Sequence, residues 1–472
     1  MVVLQPSLTN FVRLCNSHGH QLLYHPASVA DIRRDSNEDR RNRTLARLGQ
    51  YTQLQAGPAC PWNTPQTSVN DACDNEILYA LENDAAHALV TEDQGLHRKA
   101  RERGLSSRVY FIQTANDWLC RLHEPGDVLL PNIDDVEIHT LTHQLAEPFF
   151  DSIRAGYDGF NDWFRRKAME GRRAWVYRDG AEQAIAAICI YAVQTDEVVT
   201  DSGEVLAGDS LKLCTFKVGE AVRGRKVGEL FLRAAFKYAT SHQCESVFLH
   251  ANNGQQTQLT TLIEDFGFRN LGVYRGDAVY VKAHPINPPA LLMDPFQYVQ
   301  RFYPHYLSGD DVQKFLVPIQ PQFHDVLFPD YQAPGHALPD DHPQRHVGNA
   351  IKLAYLCRTP NKQPRAGDVV LFYRSRDMRA LTTLGVVESY EWSGSADKIA
   401  RIVSRRTVYS DLQIEEMAQA ETKVMLFRLI CHFEPPLEYA TLKRLRIVKG
   451  PIQSITKISD ESFSRILRAT ER

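Results

Sequence analysis

No run of apolar residues in the 472-residue chain approaches the ~18 that a membrane-spanning helix requires, so no membrane partner is expected. The first twenty residues, MVVLQPSLTNFVRLCNSHGH, lack a basic segment followed by a long apolar stretch, and a cytoplasmic location is therefore expected. The nine cysteines are odd in number, scattered, and form neither a C-x-x-C pair nor a cluster with histidines. That distribution argues against a zinc ribbon or a disulfide scaffold and for reduced, mostly buried thiols. No internal repeat is visible, which sets aside solenoids and propellers.

What remains is an ordinary globular composition, 43% hydrophobic and 24% charged. At about 100 to 200 residues per domain the length suggests about three domains. The net charge of −3 hides an asymmetry, because residues 346–472 hold 21 Lys+Arg against 14 Asp+Glu. An excess of seven positive charges there hints at an anionic partner.

Composition breaks place the domains at 1–127, 134–285 and 310–472, with 286–309 as a linker that opens on the proline-rich HPINPP. The expected fold class is multidomain α/β and α+β. Residues 211–218, LKLCTFKV, alternate like a half-buried strand, and residues 227–239, VGELFLRAAFKYA, have helical spacing with Leu230, Phe231, Ala234 and Ala235 on one face. Between them lies Arg223-Gly224-Arg225-Lys226-Val227-Gly228. A strand, a tight turn and a helix start together offer backbone N–H groups and a positive dipole end, which suit a pyrophosphate.

This stretch resembles the coenzyme-A loop of the GNAT acetyltransferases, with Arg223 and Gly228 at the ends of the family pattern and Lys226 where a glycine is usual. A strand at 246–252 and the ending L-I-E-D-F-G-F of the next helix, residues 262–268, extend the resemblance over roughly 150 residues. It implies a mixed α/β GNAT domain that takes acetyl-CoA and transfers its acyl group to an amine. Phe216, Lys217 and Val218 would receive the pantetheine and the thioester carbonyl, with residues 223–228 on the pyrophosphate. His250 and Glu220 are base candidates by position. The family's proton-donating tyrosine falls on Ile263, which cannot donate, leaving Tyr274, Tyr280 and Cys214 as replacements. The stretch 147–172, with Tyr157, Phe160, Trp163 and Phe164 near Arg165 and Arg166, reads either as an aromatic and basic nucleic-acid surface or as an amphipathic helix burying its rings.

The first domain carries D-N-E-I-L-x-A-L followed by A-L-V-T-E-D-x-x-L, which resembles the PIN nuclease fold, an α/β domain. That resemblance implies Asp31, Asp74 and Asp93 as ligands of Mg²⁺ or Mn²⁺, although no acid precedes Asp31 to supply the family's opening aspartate. The last domain, with short strands at 315–319, 368–373, 383–390 and 424–430, resembles a PUA-like barrel of the ASCH type with helices. Such barrels imply RNA, with Arg358, Lys362, Arg365, Arg374 and Arg376 as candidate cleft residues. Three readings follow: an acetyl-CoA-dependent N-acyltransferase with an unknown, RNA-associated amine acceptor; a PIN-type ribonuclease whose GNAT fold senses acyl-CoA; and a non-catalytic RNA-binding protein.

Overall fold

A computed structural model describes residues 6–55, 57–62, 69–123, 132–179, 184–222, 226–252, 256–328, 331, 345–347, 350–403, 406 and 409–470. The chain divides into two compact units, residues 1–127 with 395–416, and residues 128–394 with 417–472.

The first unit is mainly helical: α1 (Pro6–Ser17), α2 (Pro26–Arg33), α3 (Glu38–Leu48), α4 (Val69–Glu82), α5 (Gln94–Glu102) and α6 (Ile112–His123). Its described strands are two parallel pairs of two residues each, β1 (Leu23–Tyr24) with β2 (Thr52–Gln53) and β3 (Leu89–Val90) with β4 (Val109–Tyr110). The continuous sheet of a PIN-like domain is not present among the described residues. Leu78, Leu81, Leu96, Ala100, Leu105 and Val109 form the local core instead, so packing of helix faces holds this part together.

The second unit opens with an eight-stranded sheet. In chain order its elements are β5 (Asn132–Glu137), α7 (Asp151–Gly156), α8 (Phe160–Met169), β6 (Arg173–Asp179), β7 (Ala184–Val198), β8 (Val205–Val218), α9 (Val227–Ser241), β9 (Ser246–Ala251), α10 (Thr257–Asp265), β10 (Arg269–Tyr274) and β11 (Asp277–Ala283). Neighbours run β10-β11-β9-β8-β7-β6-β5, and only β8 and β9 are parallel. A parallel pair needs a crossover, and α9 supplies it. The four residues expected on its inner face are all buried, together with Val227, Phe236 and Ala239.

The C-terminal elements of the chain are α11 (Pro295–Phe302), β12 (Lys314–Ile319), α12 (Pro321–Leu327), β13 (Arg345–Val347), β14 (Lys352–Cys357), β15 (Val369–Arg374), β16 (Ala380–Ser393), α13 (Ala396–Val403), α14 (Asp411–Ala418), β17 (Thr422–Glu438), α15 (Tyr439–Arg444), β18 (Thr456–Ile458) and α16 (Asp460–Thr470). Strand β13 extends the first sheet by pairing with β5, while six strands form a second sheet in the order β14-β17-β16-β15-β12-β18. The barrel expected here is thus an open six-stranded sheet among the described residues, its long strands β16 and β17 bent by three register shifts.

Two expectations from the sequence change. The stretch 286–309 is not a free linker: α11 lies in it with Tyr298 and Val299 fully buried, and Val299 and Tyr303 join the same core as α9 and Ile351. Aromatic and β-branched residues at helical spacing outweigh the prolines that open the segment. Residues 395–416 do not stay with the C-terminal sheet but belong to the first unit, where Arg401 pairs with Asp84 at 2.7 Å and Ile399 and Val403 are buried. Among the described residues no helix is long and apolar enough to cross a membrane. All nine cysteines are free thiols.

Buried imidazoles make the second unit sensitive to mild acid. Burial lowers His250 to about 4, with Lys212 adding to the effect, His284 to about 3, with Lys282 and His305 adding, and His324 to about 4, with Arg374 adding. Each stays neutral in the folded chain where the unfolded chain already binds a proton, so stability is full above about pH 6.5 and falls as the pH drops toward 4. The thermal midpoint is therefore expected to be lower at pH 5 than at pH 7.5. Equal midpoints would contradict it.

Candidate acyl-coenzyme site

The site starts from one extra residue in β8. Ile190 lies opposite Thr215 and Tyr191 opposite Leu213, leaving Cys214 as a bulge. Because side chains alternate along a strand, a one-residue bulge inverts the facing of everything beyond it. Leu211 and Leu213 join the α9 core before the bulge, and Phe216 and Val218 pack on that core after it. Lys217 is turned to the other side, where its ammonium donates to Ser152 Oγ at 2.7 Å and to the Phe149 carbonyl.

At the same place β8 leaves β9. Their pairing ends at Leu213 with Leu249, although β8 continues along β7 to Val218 and β9 continues along β11 to Ala251. The two strands part while each keeps its outer neighbour, opening a gap lined by backbone groups of residues 214–218. Beyond β8, Lys226 precedes α9 in a left-handed conformation, φ 61°, with no side-chain cap on the helix. A glycine adopts that backbone without strain, which accounts for the family's usual residue there. The Lys226 ammonium donates to the Lys352 carbonyl at 3.2 Å. Arg223, Gly224 and Arg225 lie outside the described residues. Val227 and Gly228 are buried in the first turn of α9. A Cβ at Gly228 would stand 2.8 Å from Leu262 Cδ2, so this glycine serves helix-to-helix packing directly.

Three catalytic candidates came from sequence. His250 on β9 and Tyr274 on β10 are brought together, ring centroids 5.2 Å apart. His250 Nε2 is buried with no hydrogen-bond partner among the described residues, and Lys212, Asp277 and Glu197 act on the ring through space. Glu220 is exposed on the short turn Glu220–Val222 that leaves β8. Of the replacements for the missing tyrosine, Tyr280 is buried on the α9 side, and Cys214 is held as a thiol by burial while Arg172 donates to its sulfur at 3.3 Å. Ile263 is fully buried in the core.

One pair escaped sequence reading. The Tyr157 hydroxyl donates to Asp277 Oδ2 at 3.1 Å, joining the stretch after α7 to the start of β11. Burial first, and then the Asp277 carboxylate, push this phenol up to about 12. No local pattern signals a pair 120 residues apart. The neighbouring aromatics take the amphipathic alternative: Phe160 and Phe164 are buried among Phe150, Ile188 and Ile190, and Arg165 pairs with Asp162. A stacking surface for nucleic acid is not formed by these rings.

In the first unit the three acids expected to hold metal are engaged otherwise. Asp31 accepts from Arg34 at 2.7 Å, Asp93 caps α5 by accepting from the Gly95 and Leu96 N–H groups, and Lys99 Nζ sits between Asp71 and Asp74 at 2.6 and 2.7 Å. The ammonium supplies there the positive charge a metal would bring. Among the described residues no group of three or more His, Cys, Asp or Glu side chains could hold a metal ion. In the C-terminal sheet Arg374 is paired with Asp325 and Asp377, and Lys362 with Glu421, which neutralises two of the five expected cleft cations.

Comparison with known proteins agrees on the central region. The sequence model of the acetyltransferase (GNAT) family matches residues 138–268. No curated protein matches the chain. Similar solved structures include an ASCH protein of Zymomonas mobilis, 14% identical over 33% of this chain and 95% of its own, TM-score 0.26. Another is described as histone acetyltransferase HPA2 and related acetyltransferase, from Corynebacterium glutamicum, 18% identical over 34% and 100%, TM-score 0.26. A third is the PaiA N-acetyltransferase of Thermoplasma acidophilum in complex with coenzyme A, 12% identical over 32% and 99%, TM-score 0.24. The family match supports a GNAT acetyltransferase domain at residues 138–268.

The contact at Gly228 gives a prediction about stability. Gly228→Glu must push Leu262 aside and bury a carboxylate in the α9 to α10 packing, so a loss of roughly 2 kcal/mol or more is expected. A melting temperature equal to that of the native chain would show that the helices separate freely there.

Proposed function

We propose that this domain binds acetyl-CoA along the gap between β8 and β9 and transfers the acetyl group to an amine. The observation that carries the reading is the parting of the two strands at Leu213 and Leu249, which leads directly to the uncapped start of α9. A pantetheine arm carries two amides and can add to the exposed edge of residues 216–218 much as a short strand would. The N–H groups that open α9, with Arg223 and Arg225 in the preceding turn, suit the pyrophosphate.

In the transfer the amine nitrogen attacks the thioester carbonyl, the C–S bond breaks, the nitrogen gives up a proton and the departing thiolate takes one. Holding the two reactants together contributes most, because effective molarity can supply several kcal/mol. His250 is the reading's proton acceptor: it is neutral at pH 7, though a base lowered to about 4 draws a proton only weakly from an ammonium. Tyr274, beside it, is the candidate donor to the thiolate.

The finer reading is an acceptor associated with RNA. What supports it is the positive excess of residues 346–472. The ribonuclease reading lacks comparable support, because Lys99 occupies the position between Asp71 and Asp74.

Calorimetric titration of acetyl-CoA into the full chain and into Arg223→Glu tests the coenzyme site. Micromolar binding by the native protein, weakened at least roughly tenfold in the variant, is expected from losing a charge-assisted phosphate contact. A folded native protein that takes up no acetyl-CoA would overturn the reading. With an amine acceptor in hand, His250→Gln is expected to lower turnover by roughly 10²-fold while leaving acetyl-CoA affinity unchanged. Unaltered turnover would remove His250 from the mechanism.

A further inference from the structure

The start of α9 has no capping side chain of its own, yet two contacts from far along the chain converge on it and a third joins the end of the neighbouring α10. Lys352, the first residue of β14 in the C-terminal sheet, supplies all three. Its backbone N–H donates to Glu229 Oε1 at 2.5 Å, on the third residue of α9. Its carbonyl accepts from Lys226, the left-handed residue that precedes the helix. Its ammonium is paired with Asp265 at the end of α10. These partners lie 123, 126 and 87 residues away in sequence.

The contact is backed by a second cation. Arg428 sits opposite Lys352 in the pairing of β14 with β17 and is fully buried. It donates to the Asp265 carbonyl at 3.1 Å, and its guanidinium lies 5.2 Å from the Phe266 ring. Ile351 and Val386 of the C-terminal sheet share one core with Leu230, Phe231 and Phe266 of the GNAT domain. Lys352 therefore stands on a packed base, and its side chain is only 11% exposed. Lys226 and Glu229 thus both meet the main chain of the C-terminal sheet.

We infer that Lys352 is a positioning residue for the acyl-coenzyme, through which the C-terminal sheet holds the first turn of α9 in the geometry that receives the pyrophosphate. The inference rests on the acyl-CoA reading above and extends it to a residue outside residues 138–268. Lys352 touches Lys226, Glu229 and Asp265, and acts on the coenzyme through the first two. Removing its ammonium releases Asp265 and loosens β14 where its backbone grips α9.

The full chain, Lys352→Met, Lys352→Arg and Asp265→Asn would be titrated with coenzyme A, and amide hydrogen exchange would be followed at residues 227–230. Lys352→Met is expected to weaken coenzyme A roughly tenfold and to speed exchange in that first turn. Lys352→Arg keeps a cation on Asp265 and is expected to retain the affinity, a rescue that general loss of packing would not show. Asp265→Asn removes the charge that anchors the Lys352 ammonium without altering Lys352 itself, should loosen the same main-chain contacts and weaken binding in the same direction, and carries the test if Lys352→Met does not fold. A native chain that binds coenzyme A alongside variants that bind equally well, with unchanged exchange, overturns the positioning role alone. A native chain that binds none overturns the acyl-CoA reading and this role with it.

Discussion

The separation of β8 from β9 is the constraint on which the central region depends. Parallel neighbours normally stay paired along their length, because every unpaired N–H or C=O left in the interior costs about as much as a lost hydrogen bond. Here both strands keep their outer partners, so the sheet survives while the inner edges diverge beyond Leu213 and Leu249. The Cys214 bulge makes this workable: it turns Phe216 and Val218 onto α9 and sends Lys217 to Phe149 and Ser152 on the opposite side. On the proposed reading, the amides of a coenzyme arm pair with the polar edge that results.

The second unit also buries several cationic side chains. Lys282, Lys314 and Arg428 are fully buried, a costly condition unless hydrogen bonds and counter-charges repay it. Lys282 donates to the Arg301 carbonyl at 2.6 Å, and burial holds its amine well below the ordinary lysine range. Asp265 shows the balance most clearly: its side chain is half exposed, and although partial desolvation raises its carboxyl, Lys352 and Arg428 outweigh that effect and hold it below the usual range. Such an arrangement contributes less to stability than to definition, since apolar replacements could fill the space but could not fix which residue meets which. The C-terminal sheet and the GNAT domain are joined in one register by these pairs.

Much of the central domain was legible in the chain. The alternation of LKLCTFKV and the helical face of Leu230, Phe231, Ala234 and Ala235 are local patterns, and local patterns survive folding when one face is buried. The bulge is traceable in hindsight, since the alternation falters at Cys214 and Thr215. The first domain was harder to read. Its acids occur at intervals like those of a metal site, but Asp93 is a helix cap and Lys99 neutralises Asp71 and Asp74. Spacing of carboxylates cannot reveal a cation that arrives from another helix.

By itself the sequence determined the order of the central strands and helices and the base-rich character of residues 346–472, because each is written in neighbouring residues. Tertiary structure alone decided that α11 is part of the core, that 395–416 joins the first unit, that Tyr157 meets Asp277, and that Lys352 grips the start of α9. All four depend on contacts between residues far apart in the chain. The chain writes such contacts only as a charge, a ring or an apolar side chain whose partner is chosen when the surfaces pack.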